Sequence, residues 1–269
     1  MRRFAIATIL GGLLLTVGPS PASLSAVGSG AAPLFHGKRI SDFDLVQAAP
    51  GAVTEVPDPG GGKRTVFKMT VGNGDVYPLT PTENPRAALL TPSTIEPGED
   101  FWWRAEVFLP RSFPSRVPTW LTFLEGPCGP PFDGTPSFHL EVTHGRIQWS
   151  RNATYDWDVP WQMPLVKGRW IRFLMHIKFA EHGFVELWVD GRRVAFFGGR
   201  SYNPNRIAPT RRLRMTVLDR SNDQGDNFAA VMSYRKAGTF PSVTLYQGPT
   251  AIARTLGSLR HLLSHSPPA

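Results

Sequence analysis

From residue 170 to residue 179 the chain alternates with a period of two. Ile171, Phe173, Met175, Ile177 and Phe179 fall on one side, and Trp170, Arg172, Leu174, His176 and Lys178 on the other. That period predicts a strand whose odd residues enter a core while the even ones face a groove or solvent. Residues 180–183 predict a turn, and residues 184–189 the antiparallel return. Asp190-Gly191 predicts a type I′ turn into a third strand over residues 192–197. The mixed aromatic and charged outer side places these three strands in the middle of a large antiparallel sheet.

The same pattern recurs along the chain. Residues 64–71 set Val66, Lys68 and Thr70 against Phe67, Met69 and Val71. Residues 101–109 set Trp102, Arg104, Glu106 and Phe108 against Trp103, Ala105, Val107 and Leu109. Segments 120–124, 137–143, 146–150, 211–218 and 242–246 extend the series, with residues 42–47 as a first edge strand. Turn signals at 57–62 and at Asn73-Gly74-Asp75 separate them. Short strands between Gly/Pro turns predict an all-β sandwich, not a βαβ fold. Only residues 252–264 carry a helical pattern, a short C-terminal element.

Residues 1–26 have the build of a secretory signal: Arg2-Arg3, an apolar run over 4–17, then small residues around Ala22 and Ala26. The apolar run is short for a bilayer span, and no later stretch is long and apolar enough. The mature protein is therefore expected to be secreted, without membrane contact once the signal is removed. Residues 27–34 form a spacer, 35–255 one domain and 256–269 a tail; a chain of 269 residues with 41% hydrophobic content suits a single core. Cys128 is the single cysteine, which excludes an intrachain disulfide, and no His/Cys pair has zinc-ligand spacing.

The formal charge is +8, and loss of Arg2 and Arg3 with the signal leaves +8 − 2 = +6. A basic surface suits an acidic polymer: a polyuronate, a sulfated glycan or nucleic acid. Of the 29 basic residues 23 are Arg, which codon bias alone would produce. The nucleic-acid reading has no recognition motif and conflicts with export, so it is set aside.

Tyr234-Arg235-Lys236-Ala237-Gly238-Thr239-Phe240 resembles the Tyr-Phe-Lys-Ala-Gly-x-Tyr strand of alginate lyases and the related strand of the heparin lyase I and glucuronan lyase group. The order of elements over about 42–255 is similar to that of the group's secreted actinobacterial proteins. It runs from an early Arg-containing strand, through a Gly-Pro-Pro loop, to the 170–191 hairpin and the Tyr-x-Lys-x-Gly strand. The resemblance implies a concanavalin A-like β-jelly-roll sandwich of two antiparallel sheets with a concave glycan-binding face. Two departures stand out. Where such lyases carry Gln-x-His, this chain has Phe123-Leu124-Glu125, and the early Arg-x-Glu is reduced to Arg86-Ala87-Ala88.

The reaction the resemblance implies is β-elimination at a uronate. It needs the C6 carboxylate neutralised, the C5 proton removed and the leaving O4 protonated. Arg86 is the candidate for the carboxylate, and Tyr234, with Lys236 two residues along the same strand face, for base and acid. Glu125 is a hydroxyl ligand or an alternative base, and His139 and His176 are groove-lining candidates. Trp149 and Trp161 are candidate sugar platforms, with Arg151, Asn152 and Asp156 as polar glycan contacts beside them. Each has a structural alternative: a Tyr234 hydroxyl bonded to backbone, a Glu125 pinning its loop, tryptophans in the core.

A second reading, a glycan-binding jelly-roll module without catalysis, follows from the changed Gln-x-His and Arg-x-Glu positions. Glycoside hydrolysis lacks the Glu-x-Asp-x-x-Glu strand of laminarinase-like sandwiches. No cofactor and no metal ligand set is expected, and calcium is the one ion left open. Residues 219–227 offer it oxygen ligands without EF-hand spacing, and a polar surface loop explains them more simply. A monomer is expected.

Overall fold

The computed structural model describes residues 31–78, 83–92, 95–128, 136–152, 157–197, 209–215, 217 and 228–263. Its strands in chain order are β1 (Phe35–Gly37), β2 (Leu45–Ala48), β3 (Val53–Pro57), β4 (Thr65–Gly72), β5 (Arg86–Leu90), β6 (Asp100–Phe108), β7 (Leu121–Cys128), β8 (Phe138–Thr143) and β9 (Arg146–Asn152). There follow β10 (Trp157–Pro164), β11 (Trp170–Lys178), β12 (Gly183–Val189), β13 (Arg192–Arg193), β14 (Leu213–Met215), β15 (Phe228–Arg235), β16 (Ser242–Gln247) and β17 (Thr250–Ala253). One short helix, α1 (Gly257–Leu263), packs on β17 through Leu259. Among the described residues no helix is long and apolar enough to cross a membrane.

The strands pair antiparallel into two sheets, a β-jelly-roll sandwich. One has ten strands, in the order β13-β12-β11-β6-β16-β4-β3, with β1, β14 and β17 attached off that path. The other has seven, in the order β10-β9-β8-β7-β15-β5-β2. The inner faces meet in one core. Ile171, Phe173, Met175 and Ile177 enter it from β11, and Leu121, Phe123, Leu124, Leu140 and Trp149 from the opposite sheet. The Phe123 and Phe173 rings face each other across the layers with centroids 5.6 Å apart. Each such buried side chain stabilises the sandwich by about 1.5–3 kcal/mol relative to exposure. Gln247 on β16 adds a polar tie, donating to the carbonyls of Phe123 (2.7 Å) and Met232 (3.2 Å) in the facing sheet.

The hairpin predicted from alternation forms as β11 and β12. Asp190 (φ 50°) and Gly191 (φ 78°) take the two positive φ angles that a type I′ turn needs. Its setting differs from the expectation. The third strand is only Arg192–Arg193, and the hairpin lies toward one edge of the ten-stranded sheet, with β6 inward of it. A second correction concerns the C-terminus. Residues 250–253 are the strand β17, buried throughout and paired with β1 and β6, so the helix begins only at Gly257. Both differences come from pairing between residues far apart in the chain, which local periodicity does not encode.

Candidate functional site

Cross-strand register brings the candidate residues together on the face of the seven-stranded sheet turned away from the core. Arg86 on β5 stands opposite Tyr234 on β15, Tyr234 opposite Thr122 on β7, Thr122 opposite Glu141 on β8, and Glu141 opposite Gln148 on β9. A parallel row runs Leu90, Ala230, Glu125, His139, Ser150. The row between, Val231, Leu124, Leu140 and Trp149, belongs to the inter-sheet core. Period two therefore points the two polar rows outward. Arg86, Glu125, His139 and Tyr234 thus share one surface though they lie up to 148 residues apart (234 − 86).

The local geometry is specific. Arg86 Nη1 donates to Gln47 Oε1 at 2.9 Å, and the guanidinium carbon lies 4.2 Å from the centre of the Tyr234 ring. Trp120 meets Tyr234 edge-on with centroids 4.8 Å apart. Asn84 Nδ2 is 3.4 Å from the Tyr234 hydroxyl. In the second row His139 Nε2 lies 3.4 Å from Glu125 Oε2, with each side chain only 13% exposed. Glu141 Oε1 accepts from Gln148 Nε2 (2.7 Å) and from the Ser150 hydroxyl. Thr122, between Tyr234 and Glu141, is fully buried, and its hydroxyl has no hydrogen-bond partner among the described residues. A buried, unsatisfied hydroxyl is costly unless water or a ligand completes it.

A β-bulge revises the matched triplet. The register of β7 shifts between Thr122 and Leu124, so Phe123 and Leu124 both enter the core. The outward residues flanking the bulge are Thr122 and Glu125, not Phe123 and Glu125. Sequence alternation missed this because one extra residue inverts the facing of everything beyond it. Gly126 follows, where an added Cβ would lie 2.5 Å from the Phe138 ring, so only glycine fits beside Glu125.

The other candidates are placed elsewhere. Trp149 is a correction: it is fully buried, stacked on Phe138 at 4.0 Å, and cannot be a sugar platform. Trp161, opposite Trp149 and 7% exposed, is core for the same reason of strand facing. Arg151 grips Asp158 with both arms of its fork (2.7 and 2.9 Å) and donates to the Arg214 carbonyl of the other sheet, so it ties the sheets together instead of lining the groove. His176 lies on the outward face of the opposite sheet, stacked on Trp102 at 4.4 Å. Lys236 does not continue the strand face of Tyr234. β15 ends at Arg235, and Lys236 is exposed in a turn closed by Thr239 Oγ1 on its carbonyl (2.8 Å). Asn152 is in β9, but its side chain, like all of Asp156 and residues 1–30 and 219–227, lies outside the described residues. Among the described residues no group of three or more His, Cys, Asp or Glu is placed to hold a metal ion.

Three neighbours of the site were given no role from sequence: Gln47, Asn84 and Arg235, the last within the Tyr234 segment itself. Gln47 stands where β2 meets β5 and holds Arg86, whose lost Arg-x-Glu carboxylate is now Ala88 in an apolar patch with Leu90, Ala230 and Met232. Arg235 points inward beside Tyr234 and anchors the end of β15 to the Phe240 carbonyl (2.8 Å) and Asn73 Oδ1 (3.1 Å). Its burial depresses its guanidinium pKa, partly offset by Asp75. No periodicity signals a buried arginine.

Comparison with known proteins agrees with this architecture. A solved endo-β-1,4-glucuronan lyase from the fungus Trichoderma reesei superposes with a TM-score of 0.59 at 16% identity, covering 83% of this chain and 96% of that one. A carbohydrate esterase from the Shiga toxin-encoding bacteriophage phi24B superposes with a TM-score of 0.51 at 10% identity, covering 83% and 98%. At these identities the likeness is one of fold. No curated protein sequence matches the chain. A family model described as polysaccharide lyase matches residues 35–212, more than half of the chain, from β1 to just before β14. With that match over the same jelly roll, the chain belongs to the polysaccharide lyase family.

Proposed function

We propose that the outward face of the seven-stranded sheet binds a uronate-containing polysaccharide and cleaves it by β-elimination. The observation that carries this is that cross-strand register places Arg86, Tyr234, Glu125 and His139 on one outward face of the seven-stranded sheet. Arg86 binds the C6 carboxylate, which stabilises the negative charge that develops when C5 loses its proton. Tyr234, as the phenolate, takes the C5 proton and passes it to O4 as the C4–O4 bond breaks and the C4–C5 double bond forms, ending as the phenolate again. Atoms and charge then balance without an oxidant or a water. Glu125 and His139, beside the same strands, bind hydroxyls of the neighbouring sugar. The glucuronan lyase fold match and the family both favour a glycan substrate of this class. Residues 1–26 act as the export signal, so the enzyme works outside the cell; the mass of the protein recovered from medium tests this.

A second reading is glycan binding without cleavage. It is favoured by the outward pair Thr122 and Glu125 standing where the lyase pattern has Gln and His. One experiment separates the two. The chain lacking residues 1–26 is incubated with acidic and neutral polysaccharides while near-ultraviolet absorbance follows the unsaturated uronate that elimination alone makes. Absorbance that rises, and collapses in Tyr234→Phe, supports the lyase. Retention on the same polymers in a gel, without absorbance, supports the binding module.

A further inference from the structure

Asn84 lies where the chain enters β5, and three features make its side chain a fixed instrument. It precedes Pro85, which restricts its backbone to extended conformations. The Pro85 carbonyl accepts the Arg235 N–H at 3.2 Å, and the Arg86 N–H is held by the Asp75 carbonyl at 2.9 Å, so the segment is tied at both ends. Its Oδ1 accepts the Ala237 N–H at 3.1 Å. A backbone N–H can only donate, so the amide oxygen must face Ala237 and the NH₂ must face the other way. There it meets the Tyr234 hydroxyl, 3.4 Å from Nδ2.

We infer that Asn84 is the positioning residue of Tyr234: its locked amide donates to the phenol oxygen, so that the phenol's own proton points away from Asn84. A donor on the phenol oxygen stabilises the phenolate relative to the phenol, the form that accepts a proton. The amide is neutral, so it does this without competing with Arg86 for a substrate carboxylate. The catalytic consequence rests on the lyase reading; the hydrogen-bond polarity does not.

Ultraviolet titration of the folded protein, with the Tyr234→Phe spectrum subtracted, isolates one phenol among five tyrosines. Asn84→Leu keeps the volume and adds no charge while removing the donor. Its phenolate step moves to higher pH, and that of Asn84→Asp, whose carboxylate accepts from the phenol, moves further. Unmoved steps in both variants overturn the inference. If Asn84→Leu does not fold by circular dichroism, Asn84→Ala carries the same expectation. On a uronate polymer Asn84→Leu lowers kcat about tenfold with KM within about twofold. A raised KM at unchanged kcat overturns the positioning role and makes Asn84 a substrate ligand. A protein that yields no unsaturated product fails the lyase reading alone, because the titration still decides the Asn84–Tyr234 coupling.

Discussion

The two outward faces of the sandwich carry similar residue types and use them differently. On the ten-stranded sheet, charges close on one another. Glu106, fully buried, pairs with Arg64 (2.8 Å) and Arg104, and Arg64 also holds Asp58 (2.8 Å) while lying 4.5 Å over the Trp170 ring. Farther along, Glu186 takes Arg193, Arg212 (2.7 Å) and His176 (3.1 Å). On the seven-stranded sheet the Gln47 amide accepts from Arg86, and the Asn84 amide and the Trp120 ring meet Tyr234. Charges that satisfy one another hold a fold together. Ion-pair networks thus mark one face, and the contacts around Tyr234 mark the other.

The contrast breaks first at Glu106. Replacing it with Ala leaves Arg104 buried without its carboxylate, and we expect a loss of about 3–5 kcal/mol by chemical denaturation. Glycan retention by the folded fraction should persist, and a variant as stable as the unmodified protein would mean the network does not hold the face. On the other sheet Arg86→Ala should do the reverse. Uronate cleavage falls at least about 100-fold, roughly 2.7 kcal/mol of transition-state stabilisation, while the denaturation midpoint moves little.

Acid tests the same division. Burial would raise the Glu186 carboxyl, but Arg212, His176 and Arg193 overcome it and hold its pKa below the ordinary 4.5. Burial likewise opposes, and Arg64, Trp170 and the Gly60 N–H outweigh it, at Asp58, which is held below 3.8. A carboxyl depressed in the folded state contributes stability that is full above its unfolded pKa and is lost as pH falls through the folded value. Between about pH 6 and about pH 3 the Glu186→Gln protein should therefore lose less stability than the unmodified one. Parallel losses in denaturant titrations at the two pH values would refute this. The smallest effect expected is at His176. His176→Gln should leave product formation within about twofold, since its ring stacks on Trp102 on the face opposite Arg86.

How much of this was legible follows from what each pattern reports. The alternation over 170–179 set the facing of Ile171 to Ile177 correctly, because a single strand's period needs no partner. The Tyr234 and Arg86 segments, far apart in the chain, fall on the neighbouring strands β15 and β5. Trp149 and Arg151 were misread because flanking polar residues do not reveal parity; only the pairing of β9 with β8 shows that 149 and 151 face inward and 150 outward. Gln47 and Asn84 could be given no role from sequence because an amide's part depends on the residue it meets.

By itself the sequence determined an all-β chain of short strands, its main hairpin with the Asp190-Gly191 turn, and the residue types from which a lyase-like site is made. These rest on local alternation and turn chemistry, which act over a few residues. Only the tertiary structure decided the sheet order, the bulge at Thr122–Leu124, the burial of Trp149 and Trp161, and the meeting of Asn84 with Tyr234, 150 residues away. Those depend on register between distant strands, where a shift of one residue exchanges groove for core.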